Sequence, residues 1–169
     1  MQKFYAIYRK GAAGALLHIY EQAIAELSEL IAAIPDQALT VIIDPETSNE
    51  DCRSFQAILS HTVHAGFGYA VSIHQLKEKA VKRPEKVVRL TIRDYIKDLQ
   101  QVIAYTEEVM SGIQDDELEQ FDNALKIRTS WGQLYDIEQM MEHAIVHILR
   151  HKRQIEKFRF SGWIPVVRA

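Results

Sequence analysis

Apolar residues recur at spacings of three and four along four long segments of the chain, and this periodicity is typical of amphipathic α-helices. The pattern predicts four helices, over residues 14–34, 50–80, 92–111 and 133–158. Pro35 ends the first helix because its ring cannot continue the backbone hydrogen bonding. Asn49 or Ser48 is a candidate N-cap of the second helix, and Thr91 of the third, which ends near Gly112.

Strand signals are nearly absent, since residues 39–43 are the only short β-branched run. No repeat, low-complexity tract or linker divides the chain, so residues 1–169 are predicted to form a single domain. Four amphipathic helices of about 20–30 residues imply an all-α fold, an antiparallel four-helix bundle. The C-terminal segment, with Phe160, Trp163 and Ile164, is predicted to pack back on this bundle.

The composition narrows the classes of function. The net charge is −3 and the pI about 6.2, so the chain has no excess of basic residues with which to bind a phosphate backbone. The single cysteine, Cys52, excludes an internal disulfide and a cysteine-rich zinc site. No secretory signal is evident, and no apolar run approaches the ~18 residues of a membrane span. The sequence therefore predicts a cytoplasmic protein that binds neither nucleic acid nor membranes.

Three histidines at intervals of four residues, His143, His147 and His151, lie in the fourth predicted helix. Residues four apart share a helix face, so two such imidazoles can bind one metal ion. His151 completes the apolar stripe of this helix, between Ile148 and Ile155. At about 100° of rotation per residue, His147 lies roughly 80° from the centre of the stripe and His143 roughly 120°. His147 and His151 are therefore the predicted ligand pair, and His143 is predicted to lie at the rim.

The third ligand has to come from another helix, and His61 is the predicted one. It lies in the second helix, in the middle of a line of small residues: Ser54, Ala57, Ala65, Gly68 and Ser72. Small neighbours leave the space that an open metal coordination position requires. His64 lies on a more polar side of the helix and ranks below His61. Histidines at these spacings also arise by chance, so a bundle whose histidines are structural and bind no metal stays an alternative.

The rest of the chain carries no nucleophile motif, no phosphate-binding glycine loop and no carboxylate pair at a telling spacing. A di-iron bundle is set aside because Glu142 does not stand three residues before a candidate ligand. No catalytic residue and no organic cofactor site is therefore predicted; the predicted site is the metal site alone.

The two histidine motifs resemble those of the DinB-like superfamily, four-helix proteins related to DNA-damage-inducible proteins and thiol transferases. In that family a histidine follows a short apolar run on the second helix, and the last helix carries histidines four residues apart, followed by Arg and Gln. The matching segments are SFQAILSH, ending at His61, and HAIVHILRHKRQ, ending at Gln154. The resemblance spans most of residues 14–158 and is specific only at these motifs. By position it places the family's metal triad on His61, His147 and His151.

The resemblance implies an up-down-down-up bundle of the DinB/YfiT-like kind, divalent metal binding and a homodimer. One departure is visible: the family often has His-His-Arg-Gly-Gln where this chain has His-Lys-Arg-Gln. Three imidazoles suit zinc, nickel, cobalt or copper, and zinc or nickel is the predicted ion. With three protein ligands the site keeps one open position. The implied function is a metal-dependent thiol S-transferase acting on a small electrophile; the alternative is a non-enzymatic metal-binding stress-response protein.

Overall fold

Four α-helices dominate the computed structural model, which describes residues 9–159 and the backbone of Phe160. They are α1 (Gly11–Ala32), α2 (Phe55–His74), α3 (Ile92–Met110) and α4 (Ile137–Phe160). Their connections contain short 3₁₀ turns and a two-stranded antiparallel sheet, formed by β1 (Ile127–Arg128) and β2 (Leu134–Tyr135). The predicted helical bundle is confirmed, with this small sheet added. The predicted packing of Phe160, Trp163 and Ile164 lies outside the described residues.

The first and third helices follow the predicted segments closely. The Thr91 hydroxyl accepts a hydrogen bond from the Asp94 N–H at 3.2 Å, so the predicted N-cap of α3 is confirmed. The N-terminus of α1 is capped from a distant part of the chain. There the Asp115 carboxylate accepts hydrogen bonds from the Ala12 and Ala13 N–H groups, each at 3.0 Å. This carboxylate also faces the positive end of the α1 dipole.

The second helix begins later than the predicted start at residue 50. Ser54 is its N-cap, because the Ser54 hydroxyl accepts a hydrogen bond from the Ala57 N–H at 3.1 Å. The residues before it form a separate 3₁₀ turn, Glu50–Cys52, which Asn49 caps. The cap predicted at Asn49 therefore exists, but it belongs to this turn and not to α2. The helix also ends early, at His74, so the predicted extension to residue 80 is wrong.

The fourth helix also begins later than predicted, because a hairpin precedes it. Within the hairpin the Thr129 N–H donates to the Gln133 carbonyl, and the Gln133 N–H donates to the Thr129 hydroxyl, both at 2.9 Å. Gly132 makes the turn at a φ of 92°. Asp136 then starts α4 by accepting a hydrogen bond from the Gln139 N–H at 2.9 Å. Strands of two residues are too short to show the alternation by which a strand is recognised in a sequence.

One apolar core runs between the helices. α1 packs against α3 and α4, and α2 packs against the same two helices, so α2 and α4 are neighbours along one side of the bundle. The largest fully buried side chains of the first three helices include Tyr20, Leu27, Phe55, Leu59, Tyr95 and Leu99. Within the described residues, no helix is both long and apolar enough to cross a membrane. The contact between α2 and α4 is the one that positions the histidines.

Replacing Gly66 with alanine is expected to destabilise the bundle by about 1 kcal/mol. A Cβ there would come within 2.6 Å of the Val102 side chain and 3.2 Å of the Tyr20 hydroxyl. Overpacking of this kind lowers the free energy of unfolding by about 1–3 kcal/mol, whereas the better helix propensity of alanine raises it by about 1 kcal/mol. The free energy of unfolding in urea measures the difference.

Gly68→Ala is the matched control for this prediction. The three atoms nearest to a Cβ at Gly68 would all belong to the end of the flexible Arg83 side chain, which can move aside. This variant is therefore expected to be as stable as the wild type or slightly more stable. If Gly66→Ala proves no less stable than Gly68→Ala, the close packing of α2 on α3 is not what requires glycine at position 66.

Candidate metal centre

Three histidines from two neighbouring helices meet at one point. His61 lies in α2, and His147 and His151 lie one turn apart in α4. The Nε2 atom of His147 is 3.0 Å from the Nε2 of His61 and 3.3 Å from the Nε2 of His151. One ring nitrogen from each histidine lies within 4.8 Å of the others, so the group could hold a metal ion. The structure thus brings together the three residues that the sequence analysis selects.

Hydrogen bonds on the far side of two rings direct their lone pairs toward the centre of the group. The His151 Nδ1 lies 3.0 Å from Gln154 Oε1, and the His61 Nδ1 lies 3.1 Å from Asp51 Oδ2. Both oxygens only accept, so each Nδ1 carries the proton and each neutral ring presents a bare Nε2. A proton on the His147 Nε2 can point fully at only one of these two lone pairs.

The nitrogen positions therefore suit a shared cation better than a shared proton. Nitrogen ligands at about 2.0–2.1 Å from a tetrahedral zinc ion are about 3.3 Å apart, close to the two separations found. The His147 Nδ1 is buried and has no hydrogen-bond partner among the described residues. Its ring is held in place by packing against its neighbours: the Tyr69 ring centroid lies 5.6 Å away, in an edge-on arrangement.

Burial keeps the three imidazoles neutral. Burial, with the neighbouring His151 and His61, lowers the pKa of His147 to about 3. Burial also lowers the pKa of His151 to about 4, although the hydrogen bond to Gln154 acts in the opposite direction. The pKa of His61 is lowered as well, because burial outweighs the attraction of Asp51. A neutral imidazole is the form that binds a metal ion, so at pH 7 the group has no proton to release before binding.

Asp51 is the functional residue that sequence reasoning misses. It stands in the 3₁₀ turn before α2, where its carboxylate contacts both His61 and the ammonium of Lys86. Burial raises the pKa of Asp51, but the hydrogen bonds from Lys86 and His61 and the charge of Lys86 outweigh it and hold the pKa below its ordinary value. Of the two acceptors, Gln154 lies in α4 itself and Asp51 lies in the α1–α2 connection.

Replacing Asp51 with alanine is expected to weaken zinc binding by about 10–100-fold, because the His61 ring loses the acceptor that fixes its tautomer and orientation. Competition with a chromogenic zinc chelator measures the affinity. Asp116→Ala is the control, since it removes the same charge at an exposed position in another connection. Equal zinc affinity in the two variants would show that Asp51 does not orient His61.

His143 lies outside the triad, as predicted, and belongs to an aromatic cluster beside it. Its ring stacks on Trp131, with centroids 4.8 Å apart and planes inclined by 21°. Tyr69 and Tyr135 pack against the same imidazole, with centroids 5.3 and 5.7 Å away. His64 is half-buried and is not part of the triad, and its carbonyl accepts a hydrogen bond from Arg83.

A cavity of about 550 Å³ opens beside the triad, and His61 and His147 form part of its wall. On the α2 side it is lined by three members of the small-residue line: Ala65, Gly68 and Ser72. The prediction that small side chains leave space next to His61 is confirmed. The aromatic cluster around His143 contributes another wall. A small organic molecule in this cavity would lie in contact with two of the three histidines.

Comparison with known proteins supports the fold and is silent on the activity. No family model matches the chain, and no curated protein matches it. A crystal structure of a conserved protein from Enterococcus faecalis is similar, with a TM-score of 0.63 and 15% sequence identity. The match covers 89% of this chain and 96% of that chain. At such low identity the likeness shows a shared fold alone.

Proposed function

We propose that this protein is a DinB-like, divalent-metal-dependent transferase that joins a low-molecular-weight thiol to a small electrophile. Its helices would then have the up-down-down-up arrangement that the resemblance implies. The proposal is supported by the meeting of His61, His147 and His151, the residues onto which the family's metal triad falls. It is further supported by the four-helix architecture and by the cavity at the triad.

The donor set favours zinc or nickel. Its three ligands are neutral imidazoles, which suit borderline cations better than the hard ions that oxygen ligands select. When bound, such an ion lowers the pKa of a coordinated thiol, so that the sulfur is available as a thiolate. The protein's part is to hold the nitrogens in place, and Asp51 and Gln154 do so for His61 and His151.

The transfer itself is a substitution at an electrophilic carbon of the substrate. The thiol sulfur forms a bond to this carbon, and the leaving group departs with the electron pair of the broken bond. The thiol proton is released to solvent, so charge and atoms balance. The cavity residues bring the reactants together: Trp131 and Tyr69 offer flat apolar surfaces, and Met140 lines the cavity from α4.

The opening of the triad into the cavity is the observation that favours an enzyme over a non-enzymatic metal-binding protein. Structural zinc sites close with four protein ligands, whereas catalytic sites keep three and leave one position for water or substrate. Here three ligands converge, and two of them, His61 and His147, border an open volume of about 550 Å³. A protein that only stores the metal ion does not need a cavity next to it.

Thiol consumption tests the proposal. Zinc-loaded and nickel-loaded protein are mixed with 1-chloro-2,4-dinitrobenzene and, in turn, glutathione, cysteine and coenzyme A, and thioether formation is followed by absorbance. We expect metal-dependent turnover with at least one thiol, and a loss of about 100-fold or more in kcat/KM in His147→Ala.

His18→Ala is the control, because it removes a histidine on α1, away from the cavity. It is expected to keep the wild-type rate. Turnover that is equal in His147→Ala and His18→Ala would place the reaction elsewhere. Metal-loaded protein that consumes no thiol in any combination would favour the non-enzymatic alternative.

A further inference from the structure

The cavity beside the triad has an unbalanced charge. Two exposed guanidinium side chains, Arg83 and Arg128, belong to its lining, and there is no carboxylate among the described residues that line it. The nearest acidic group to the triad, Asp51, is already paired with Lys86. A cation bound by three neutral imidazoles would add further positive charge. The electrostatic complement of such a site is an anion.

Arg83 is built into the wall of the cavity by the backbone of α2. Its Nε donates a hydrogen bond to the His64 carbonyl at 2.9 Å. Its guanidinium lies so close to Gly68 that a Cβ there would come within 2.8 Å of the guanidinium carbon. The glycine thus leaves the space in which this cation rests against the helix. One edge of the guanidinium is used by the backbone, and its two terminal nitrogens remain for a ligand.

No carboxylate compensates the charge of Arg83. Among the described residues it makes no ion pair, in contrast to Arg89, whose guanidinium binds Asp98 with two hydrogen bonds. Partial burial lowers the pKa of Arg83, and the nearby Tyr69 opposes this shift only in part. Arg83 is exposed overall, one edge of its guanidinium is fixed by the His64 carbonyl, and it has no anionic partner among the described residues. A guanidinium held in this way can bind a carboxylate through two hydrogen bonds.

From this placement we infer that Arg83 binds the carboxylate of a small organic substrate whose planar apolar body lies against Trp131 and Tyr69. The inference rests on the proposed function for the reaction that follows, because it names the substrate class of the same site. Binding of the carboxylate itself needs only the cavity and Arg83. The guanidinium fork matches a carboxylate in two hydrogen bonds, and the aromatic walls match an unsaturated or aromatic body.

Benzoate and its neutral analogue benzamide are the probes, used with the full-length protein in a chelator so that no metal contributes. Trp163→Phe serves as the background, since it leaves Trp131, in the cavity wall, as the only tryptophan. We expect benzoate to change the Trp131 fluorescence in a saturable way and benzamide to bind about 10-fold more weakly or worse. Arg83→Gln should weaken benzoate binding by about 10-fold or more, because a charge-assisted pair is lost.

Two further variants make the test specific. Arg93→Gln removes the same charge from an exposed position outside this cavity, and it should leave benzoate affinity unchanged. Gly68→Ala should weaken benzoate binding without loss of stability, because the new methyl group displaces the guanidinium. Equal binding of benzoate and benzamide, or equal affinity in Arg83→Gln and Arg93→Gln, would overturn the inference. Displacement of benzoate by inorganic phosphate at lower concentration would overturn the choice of a carboxylate.

Benzoate binding is measured in metal-free protein, so its result does not depend on the metal site. If the metal-free protein binds benzoate through Arg83 but no thiol is consumed, the substrate-class inference stands and the transferase proposal fails. If thiol transfer is found but Arg83→Gln binds benzoate as tightly as the wild type, the transferase proposal stands and the substrate-class inference fails.

Discussion

Replacing His147 with alanine is expected to abolish tight zinc binding. The His147 Nε2 lies between the other two ring nitrogens, 3.0 Å from the His61 Nε2 and 3.3 Å from the His151 Nε2. Without it, only two nitrogen ligands remain, and they belong to different helices. The affinity should fall by more than 100-fold, since even the loss of an outer hydrogen-bond partner costs about 10–100-fold. Zinc in the purified variant should drop from about one ion per chain to near zero.

Elemental analysis of the purified protein and competition with a chromogenic chelator check this result. His143→Ala is the control, because His143 lies one turn before His147 in α4 but is not one of the three grouped histidines, and its ring stacks on Trp131. It should keep the wild-type affinity. Zinc at 1,000 times its dissociation constant should also raise the free energy of unfolding by about 4 kcal/mol in wild type and not in His147→Ala. A zinc content that is the same in all three proteins would refute the site.

The metal-free protein is expected to lose stability as the pH falls from 7 to 5. The unfolded chain takes up protons on its histidines near pH 6.5, whereas the folded state keeps His151, with its pKa lowered to about 4, neutral. The unfolded state therefore binds more protons, and stability falls as the pH is lowered through this window. For His151, only 3% exposed, the loss is about 2 kcal/mol between pH 7 and 5. His147 acts in the same direction.

Urea unfolding of chelator-treated protein at the two pH values measures this loss, and His151→Gln is the control. Glutamine cannot titrate, so this variant should show a loss about 2 kcal/mol smaller, whatever its stability at pH 7. If the variant and the wild type lose the same amount of stability, His151 is not held neutral in the folded protein.

The helices could be predicted where the local sequence carries both an apolar period and a capping residue. For α3, the apolar period and the cap at Thr91 coincide, and the predicted start is the observed one. For α2, the capping signal at Asn49 exists but belongs to the separate 3₁₀ turn Glu50–Cys52, so the predicted start lies upstream of the observed one. Ser54, the observed cap, also forms a β-bridge with Ile42, a contact that the local sequence does not reveal.

The triad could be predicted because the spacing of residues along a helix determines the directions in which their side chains point. His147 and His151 are four residues apart on one helix, and His61 stands among small residues on another, so each can be assigned to a face without a structure. Asp51 and Arg83 could not be predicted in this way. Both lie in connections, where no period relates sequence position to direction, and each reaches the site through contacts that form only when the chain is folded.

The sequence by itself determined the four helices and the faces on which the histidines lie, because both follow from the rotation per residue along a single element. Only the tertiary structure decided that α2 and α4 are neighbours, which turns two separate faces into one group of three nitrogens. It also decided that Asp51 orients His61, and that a cavity opens beside the triad whose described lining has arginines and no carboxylate. The Asp51 contact and part of the cavity wall depend on how the irregular connections fold over the bundle. Contacts between residues far apart in the chain do not appear as a periodic pattern in the sequence.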